Sequence, residues 1–287
     1  MDRRTLLAAF GASAVAACAT ARVPTADDAE LAAIRSETGG RLGVHALDTA
    51  SGATLSLDAD ARYAMCSTFK APLAAAILAQ VDAGRLRLYQ MVRFTRADLV
   101  PHAPVVEAAL AKGELSVEAL CKGTVEVSDN VAANLLLPLI GGPAGFTRFA
   151  RARGDTVTRL DRIEPELNVV RNGDVRDTTT PVAMVGLMRT FLIGNALTPA
   201  SRKRLIGWMA ASPTGRERLR AGLPANWRAG DKTGTSGEGY FNDIAVLWPP
   251  NRAAILVACY LDAPGLDPKR ANAAHAAVGA VVARRFG

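Results

Sequence analysis

Residues 65–70 read Met-Cys-Ser-Thr-Phe-Lys, and the segment that follows, residues 71–85, is rich in alanine and leucine. This pattern predicts a buried helix that ends near Gly84, with Ser67 at its amino terminus and Lys70 on the same face. A serine hydroxyl becomes a strong nucleophile when a neighbouring base accepts its proton, and a buried amine can be that base. The stretch is compatible with a reactive serine, but taken alone it is better explained by a capping serine beside a surface lysine.

Two further short motifs occur downstream, Ser128-Asp129-Asn130 and Lys232-Thr233-Gly234. Either one alone has an ordinary structural explanation, the first as a helix cap and the second as a turn at the end of a strand. The order and spacing of all three resemble those of class A serine β-lactamases, within the superfamily that also contains the penicillin-binding proteins. The resemblance covers nearly all of the chain after residue 21.

The resemblance implies that a β-lactam acylates Ser67, with Lys70 as proton relay or base. Ser128 would pass a proton to the lactam nitrogen as the ring opens. The oxyanion hole would be formed by the backbone N–H groups of Ser67 and Thr235. Within and next to these motifs, the resemblance assigns substrate binding to Asn130, Lys232, Thr233 and Thr235.

Residues 162–168, Arg-Ile-Glu-Pro-Glu-Leu-Asn, look like the E-x-x-L-N signature of class A. The resemblance makes Glu164 the general base for deacylation and Asn168 the residue that orients the water. Arg162 and Asp177 occupy the positions of an ion pair that closes the loop carrying this base. Whether Lys70 or Glu164 accepts the Ser67 proton during acylation stays open.

Two features of the expected cleft depart from the common family pattern. His102 stands where an aromatic residue is frequent, and we interpret it as a substrate-stacking group and not as a metal ligand. The usual arginine on the strand after the third motif is missing from residues 240–244. Arg218 matches an alternative position from which an arginine reaches the substrate carboxylate; the alternative is an ordinary surface arginine.

Strand patterns occur near both ends of the chain and helical patterns fill its middle. We therefore predict an α+β fold in which both chain ends build one antiparallel sheet flanked by helices, beside an all-helical domain. The resemblance implies the same architecture, with the active site in the cleft between the two parts. The predicted domains are 22–59 together with 212–287 for the sheet, and 60–211 for the helices.

Residues 1–21 have the composition of an export signal, since Arg3-Arg4 precede an apolar stretch too short to span a bilayer. Two endings fit: Ala19-Thr20-Ala21 as a cleavage site, or residues 15–18, Val-Ala-Ala-Cys, as a lipoprotein box with Cys18 lipidated. The twin arginine also resembles a Tat signal. We expect an exported, periplasmic protein without a transmembrane span in the mature chain, anchored at Cys18 in the lipoprotein alternative.

The composition, with 49% hydrophobic and 21% charged residues, is that of an ordinary globular protein. The net charge of +7 is spread along the chain without a basic block, so we do not expect nucleic-acid binding. We also expect a monomer that needs neither metal nor cofactor. The family's disulfide partners for Cys66 and Cys121 would stand at Ser236 and Ala74, so these two and Cys259 are predicted to be free thiols.

These observations predict a β-lactamase that hydrolyses the amide bond of penicillins and/or cephalosporins through a serine acyl-enzyme and thereby confers antibiotic resistance. Two rivals share the Ser67, Lys70 and Ser128 set: a cell-wall DD-peptidase, and a penicillin-binding sensor that stays acylated. Glu164 and Asn168 argue against both, because the penicillin-binding proteins lack this pair.

Overall fold

The computed structural model describes residues 25–171 and 173–287. A five-stranded antiparallel sheet with the order β2-β1-β9-β8-β7 forms its centre, and two small two-stranded sheets pair β3 with β6 and β4 with β5. The strands of the described part are β1 Arg41–Asp48, β2 Thr54–Leu57, β3 Tyr63–Ala64, β4 Met91–Arg93, β5 Glu114–Ser116, β6 Thr178–Thr179, β7 Arg228–Thr235, β8 Tyr240–Trp248 and β9 Ile255–Asp262.

Several of the helices begin at a side-chain cap that the sequence offers. Ser116, Thr180 and Thr198 each accept a backbone N–H from the first turn of the helix that follows. Proline occupies the first turn after Thr180 and Thr198, where its missing N–H costs nothing. The α-helices are α1 Ala26–Thr38, α2 Lys70–Asp82, α3 Pro104–Ala108, α4 Val117–Glu126, α5 Asn130–Leu136, α6 Gly142–Arg151, α7 Pro181–Leu192, α8 Pro199–Ala211 and α9 Pro268–Phe286.

The central sheet is buried on both faces because its strands alternate between two apolar cores. On β8, Ile244 and Val246 belong to the core shared with the helical part, whereas Ala245 and Leu247 belong to the core beneath α1 and α9. Strand β9 alternates in the same way. Helix α2 is buried over most of its length within the first core, so it holds its amino-terminal turn rigidly against the sheet.

The predicted fold class is confirmed, since strands from both ends of the chain form one antiparallel sheet beside a helical part. The short strands β3 to β6 were not predicted, because two or three residues are too few to show a period of two. Strand β7 also continues to Thr235, beyond the predicted end at Lys232, because each residue through Thr235 has a partner on β8.

The predicted domain boundaries stay a prediction, and helices α7 and α8 of the predicted helical domain lie against β1, β9 and β7 of the sheet. The predicted export signal, with its lipidation site at Cys18, lies outside the described residues. Within the described residues, no helix combines the length and the apolar character needed to cross a membrane. Cys66, Cys121 and Cys259 are buried free thiols, as predicted.

Candidate active site

Ser67 lies in a short 3-10 turn, Cys66–Phe69, that leads directly into α2. Cys66 adopts φ of 44°, a left-handed conformation that is unfavourable for a residue other than glycine. The side-chain amide of Asn242 on β8 donates to the carbonyl oxygens of Ala64 and Met65 at 2.9 and 3.2 Å. These two hydrogen bonds from β8 fix the segment that leads into the turn and so help to fix the position of Ser67.

Gly234 allows β7 to run close beside this turn. A Cβ atom on Gly234 would lie 2.8 Å from the Met65 carbonyl oxygen and 3.2 Å from the Ser67 nitrogen. Any larger residue at position 234 would push β7 away from the turn Cys66–Phe69. The glycine of the third motif is thus explained by a close backbone approach, which brings Thr235 beside Ser67.

The ammonium group of Lys70 is fully buried and lies 2.9 Å from the Ser67 hydroxyl. It also contacts three oxygens that can only accept hydrogen bonds: the Ser128 carbonyl at 2.8 Å, the Asn130 side-chain oxygen, and Glu164 Oε1 at 2.9 Å. Burial lowers the pKa of Lys70, and the charge of Glu164 raises it. An ammonium must share its three protons among these three oxygens and the hydroxyls of Ser67 and Ser128, and three neighbours that can only accept favour the charged lysine.

The Ser128 hydroxyl lies between two lysines. Lys232 donates to Ser128 Oγ at 3.0 Å, and Lys70 donates to the same atom at 3.3 Å. Because both cations use lone pairs of the oxygen, the hydroxyl's own hydrogen remains available to a third group. Burial, together with the charge of Lys70, lowers the pKa of Lys232 to about 7.

Asp129, the middle residue of the second motif, supports the site without facing it. It caps α5 by accepting from Ala132 N at 2.8 Å, and it accepts from the first backbone N–H groups of α3, Val105 and Val106, at 2.8 and 3.1 Å. This carboxylate is completely buried. Ser128 therefore precedes the cap of α5 and lies outside the helix, and it has φ of 61°.

Glu164 lies beside both Ser67 and Asn168. Its Oε1 atom lies 3.4 Å from Ser67 Oγ, and its Oε2 atom accepts from the Asn168 side chain at 2.5 Å. The Glu164 side chain is wholly buried. The side-chain oxygen of Asn168 is buried too and has no hydrogen-bond partner among the described residues, so it is an acceptor beside the carboxylate.

Asn134, which was not among the predicted site residues, holds the backbone of Glu164. The Glu164 N–H donates to Asn134 Oδ1 at 2.9 Å, and Asn134 Nδ2 donates back to the Glu164 carbonyl at 2.8 Å. A signal was present, because Asn134 follows Asn130 by four residues and so lies on the same face of α5.

The expected Arg162–Asp177 ion pair is present, with Arg162 Nε 2.5 Å from Asp177 Oδ2. Asp177 is fully buried, and its other oxygen accepts from the backbone N–H groups of Asp161 and Arg162 at 2.7 and 2.9 Å. The two ends of the loop, residues 162 and 177, are therefore joined by three hydrogen bonds to one carboxylate.

The third motif, on β7, and Arg218 form the side of the site that faces away from the Glu164 loop. The guanidinium of Arg218 donates to the Thr235 hydroxyl at 2.6 Å and to the carbonyls of Gly234 and Asn242 at 2.9 and 2.6 Å. Arg218 is buried, so the interpretation as a surface arginine is wrong. The Thr233 hydroxyl bonds Thr214 at 2.8 Å, a contact that the sequence gave no reason to expect.

His102 and Asn130 meet at the rim of the site. The Asn130 N–H donates to the His102 carbonyl at 2.9 Å, while the Asn130 amide nitrogen donates to the Pro101 carbonyl at 2.7 Å. The exposed His102 ring approaches the Val127 carbonyl at 2.8 Å through Nε2. The described residues contain no cluster of three or more His, Cys, Asp or Glu side chains suited to a metal ion.

Five predicted residues, Ser67, Lys70, Ser128, Glu164 and Asn168, thus form one hydrogen-bonded network, and Lys232 and Asn130 join it through Ser128 and Lys70. Such a network combines a hydroxyl with two groups able to move its proton and a second hydroxyl that can protonate a leaving group. This is the equipment of acyl transfer through a serine ester.

Comparisons with known proteins agree with this chemistry. The model of the "Beta-lactamase enzyme family" matches residues 28–286. A carbapenem-hydrolyzing β-lactamase KPC from Klebsiella oxytoca is 44% identical over 89% of this chain and 87% of its own length. β-Lactamase L2 from Stenotrophomonas maltophilia is 43% identical over 98% of this chain and 92% of its own length.

Solved structures are similar over the same region. An ancestral class A β-lactamase has a TM-score of 0.89 and 52% identity, covering 91% of this chain and 100% of its own. A β-lactamase from Xanthomonas campestris pv. campestris has a TM-score of 0.89 and 50% identity, covering 91% of this chain and 98% of its own.

Proposed function

The chain belongs to the class A β-lactamases, and from this premise we propose that it hydrolyses the β-lactam amide bond in two steps, acylation of Ser67 and deacylation through Glu164. The substrates are penicillins and/or cephalosporins, and the hydrolysis confers resistance to them. The observation that carries the proposal is the buried Glu164 carboxylate, which lies within 3.4 Å of Ser67 Oγ and is bonded to Asn168.

In acylation, Ser67 Oγ attacks the lactam carbonyl carbon, and its proton passes to Lys70 or Glu164, both of which contact it. The resulting oxyanion is stabilised by the N–H groups of Ser67 and Thr235, which the close approach at Gly234 supports. The C–N bond of the ring breaks and the Ser128 hydroxyl delivers a proton to the nitrogen. Ser128 is suited to this because two lysines donate to its oxygen. Lys70, which contacts both Glu164 and Ser128 Oγ, returns a proton to Ser128, so the proton lost by Ser67 ends on the nitrogen and Glu164 is left as a carboxylate.

In deacylation, Glu164 takes a proton from a water molecule as the water attacks the ester carbon of acylated Ser67. Asn168 orients this water through its amide, whose oxygen is an acceptor without a partner among the described residues. The ester then breaks, and the proton returns to Ser67 Oγ. Asn134 keeps the base in place by its two hydrogen bonds to the Glu164 backbone.

The substrate carboxylate binds to the wall formed by Lys232, Thr233 and Thr235. The Thr235 hydroxyl accepts from Arg218, so its hydrogen is available to the carboxylate, and Arg218 acts through this hydroxyl. Asn130 contacts the substrate side chain, and His102 stacks on it at the rim of the cleft.

The two rival functions fail on the same feature. A penicillin-binding sensor or a DD-peptidase needs the Ser67, Lys70 and Ser128 set but not a buried carboxylate paired with an amide beside the nucleophile. A loop closed by a buried aspartate and held by Asn134 is a specific device for fixing that carboxylate.

The test uses the intact chain and its Ser67→Ala variant. With a slow β-lactam, mass spectrometry of the wild type should find one adduct, located on Ser67, and the variant should neither bind covalently nor turn over. Steady-state assays with a penicillin, a cephalosporin and a carbapenem then define the substrate range. An adduct on another residue, or substantial hydrolysis by Ser67→Ala, would overturn the proposal.

We further propose that the protein is exported to the periplasm, because Arg3-Arg4 and the apolar stretch after them have the features of an export signal. A lipid anchor at Cys18 is the alternative to a free mature protein. The mass of the mature amino terminus in wild type and Cys18→Ser distinguishes these forms. A monomer is supported by a site whose groups all come from one chain.

A further inference from the structure

Tyr240, the first residue of β8, contacts both the segment that precedes Ser67 and the loop that carries Glu164. Its hydroxyl donates to the carbonyl oxygen of Val170, two residues after Asn168. Its ring packs on a small buried cluster of Ala64, Cys66 and Val170, so it touches both the segment before Ser67 and the loop that carries Glu164.

The backbone of Tyr240 is firmly held, which makes the side chain a fixed support. Its carbonyl accepts from Ser236 N at 3.1 Å in the hairpin between β7 and β8, and it is paired with Asp262 of β9. A hydroxyl on this residue therefore has a defined position relative to the sheet.

The far half of the loop, residues 169–176, has few other ties. Among its described residues, 169–171 and 173–176, the Tyr240–Val170 bond is the one hydrogen bond to a residue distant in sequence. The remaining bonds are local, such as those between Arg176 and Asp174. Val169 and Val175 are 41% and 43% exposed, so packing does not replace the missing bonds.

A cavity of about 770 Å³ lies between this far half and the ends of strands β1, β8 and β9. Loop residues such as Val170 and Val175 line one side, and Tyr63, Ala64 and Tyr240 line the other. The near half of the loop is fixed by Asn134 and by Asp177, whereas the far half is held across the cavity by the Tyr240 side chain.

We propose that Tyr240 is a positioning residue for deacylation: its bond to Val170 keeps the loop in the register that places Glu164 and Asn168 beside Ser67. This role rests on the proposed function of Glu164 as the deacylating base. It affects acylation less than deacylation, because Lys70 contacts Ser67 Oγ and Ser128 Oγ directly and can take the Ser67 proton without the loop.

The experiment compares Tyr240→Phe with Tyr63→Phe in the full chain. The first variant keeps the ring on its cluster and removes only the bond to Val170. Tyr63 lines the same cavity, but its hydroxyl donates to Asp58 at 2.5 Å, so the control removes a tyrosine hydroxyl without touching the loop. Stopped-flow measurements give separate acylation and deacylation rates with one penicillin, and hydrogen exchange reports on residues 166–176.

We expect Tyr240→Phe to deacylate about 2- to 10-fold more slowly, the factor that corresponds to one ordinary hydrogen bond. Acylation should stay near the wild-type rate, and exchange in the loop should rise, with neither change in Tyr63→Phe. An unchanged deacylation rate in Tyr240→Phe, or an equal loss in the control, would overturn the positioning role alone. A wild type that acylates without turning over would instead overturn the proposed function and the role together.

Discussion

Replacing Glu164 by glutamine isolates the step that separates hydrolysis from simple acylation. Glutamine keeps the size of the side chain and can keep the contact with Asn168, which now lies 2.5 Å from Glu164 Oε2. It cannot accept a proton, so the water that attacks the ester loses its base. The nucleophile, the Ser128 hydroxyl and Lys232 are left in place.

Acylation should survive the substitution because Lys70 can take over as base. The charge of Glu164 raises the pKa of Lys70, and burial lowers it. With the carboxylate gone, burial acts unopposed by this partner and the pKa of Lys70 falls further, so more of the lysine is neutral and able to accept the Ser67 proton. No described group other than Glu164 lies beside Asn168 to take over deacylation in this way.

General-base catalysis contributes about 10²- to 10⁴-fold, and we expect the loss of Glu164 to slow deacylation by a factor in this range. For an enzyme with a typical turnover of about 10 s⁻¹, the acyl-enzyme of the variant would then live for about 10 to 1,000 s. A species with that lifetime accumulates to one equivalent and is visible by mass spectrometry after manual mixing.

The assay is a burst experiment with a good chromogenic β-lactam, run beside Glu166→Gln. Glu166 lies two residues further along the same loop but is exposed, so the same chemical change there should leave turnover near the wild-type rate. Glu164→Gln should show a burst of one equivalent and then almost no steady-state rate. Normal turnover in this variant would refute Glu164 as the base, and loss of the burst itself would refute the argument that Lys70 takes over.

Two other predictions concern the loop and the carboxylate-binding wall. Arg162→Ala should destabilise the fold by about 1–3 kcal/mol, which is below the usual cost of a broken buried pair because two backbone N–H groups still bond the buried Asp177. Urea denaturation measures this loss of stability. An unchanged midpoint together with unchanged hydrogen exchange in the loop would contradict the prediction. For Lys232, whose pKa is lowered to about 7, the protonated and charged form exists below that pH, so kcat/KM for a carboxylate-bearing substrate should fall as the pH rises through about 7. An arginine stays charged over this range, so Lys232→Arg should lose that limb of the profile, and an identical limb in the variant would assign it to another group.

The sheet and the long helices could be predicted because their signals are local. Strand β1 shows an alternating pattern, and β8 and β9 contain apolar runs on either side of the Pro249-Pro250-Asn251 turn. Helices α7 and α8 start at threonine caps followed by proline. Polar motif residues ended the predicted strand β7 too early, since Lys232 to Thr235 carry no apolar pattern. Pairing with β8 keeps them in the strand, which is a tertiary effect that a local pattern cannot contain.

The contacts of the site could be predicted where the residues are close in sequence. They could not be predicted where residues from distant elements meet. Ser67 and Lys70 are one turn apart, and Asn134 could have been found four residues after Asn130. The burial of Arg218 against β7 and β8, the hydroxyl bond between Thr214 and Thr233, and the reach of Tyr240 to Val170 depend on how the elements pack. No spacing in the sequence encodes those three contacts.

The electrostatics of the site explain why its substrate should carry a carboxylate. Lys70 and Lys232 are both buried, both contact Ser128 Oγ, and the charge of Lys70 lowers the pKa of Lys232. Glu164 compensates Lys70 at 2.9 Å, but no carboxylate forms an ion pair with Lys232 among the described residues. A buried cation without a counter-ion is costly, and a bound carboxylate removes that cost. The unpaired Lys232 cation therefore costs free energy in the empty site and favours the binding of an anionic β-lactam. The bound substrate then lies where Ser128 can protonate its nitrogen.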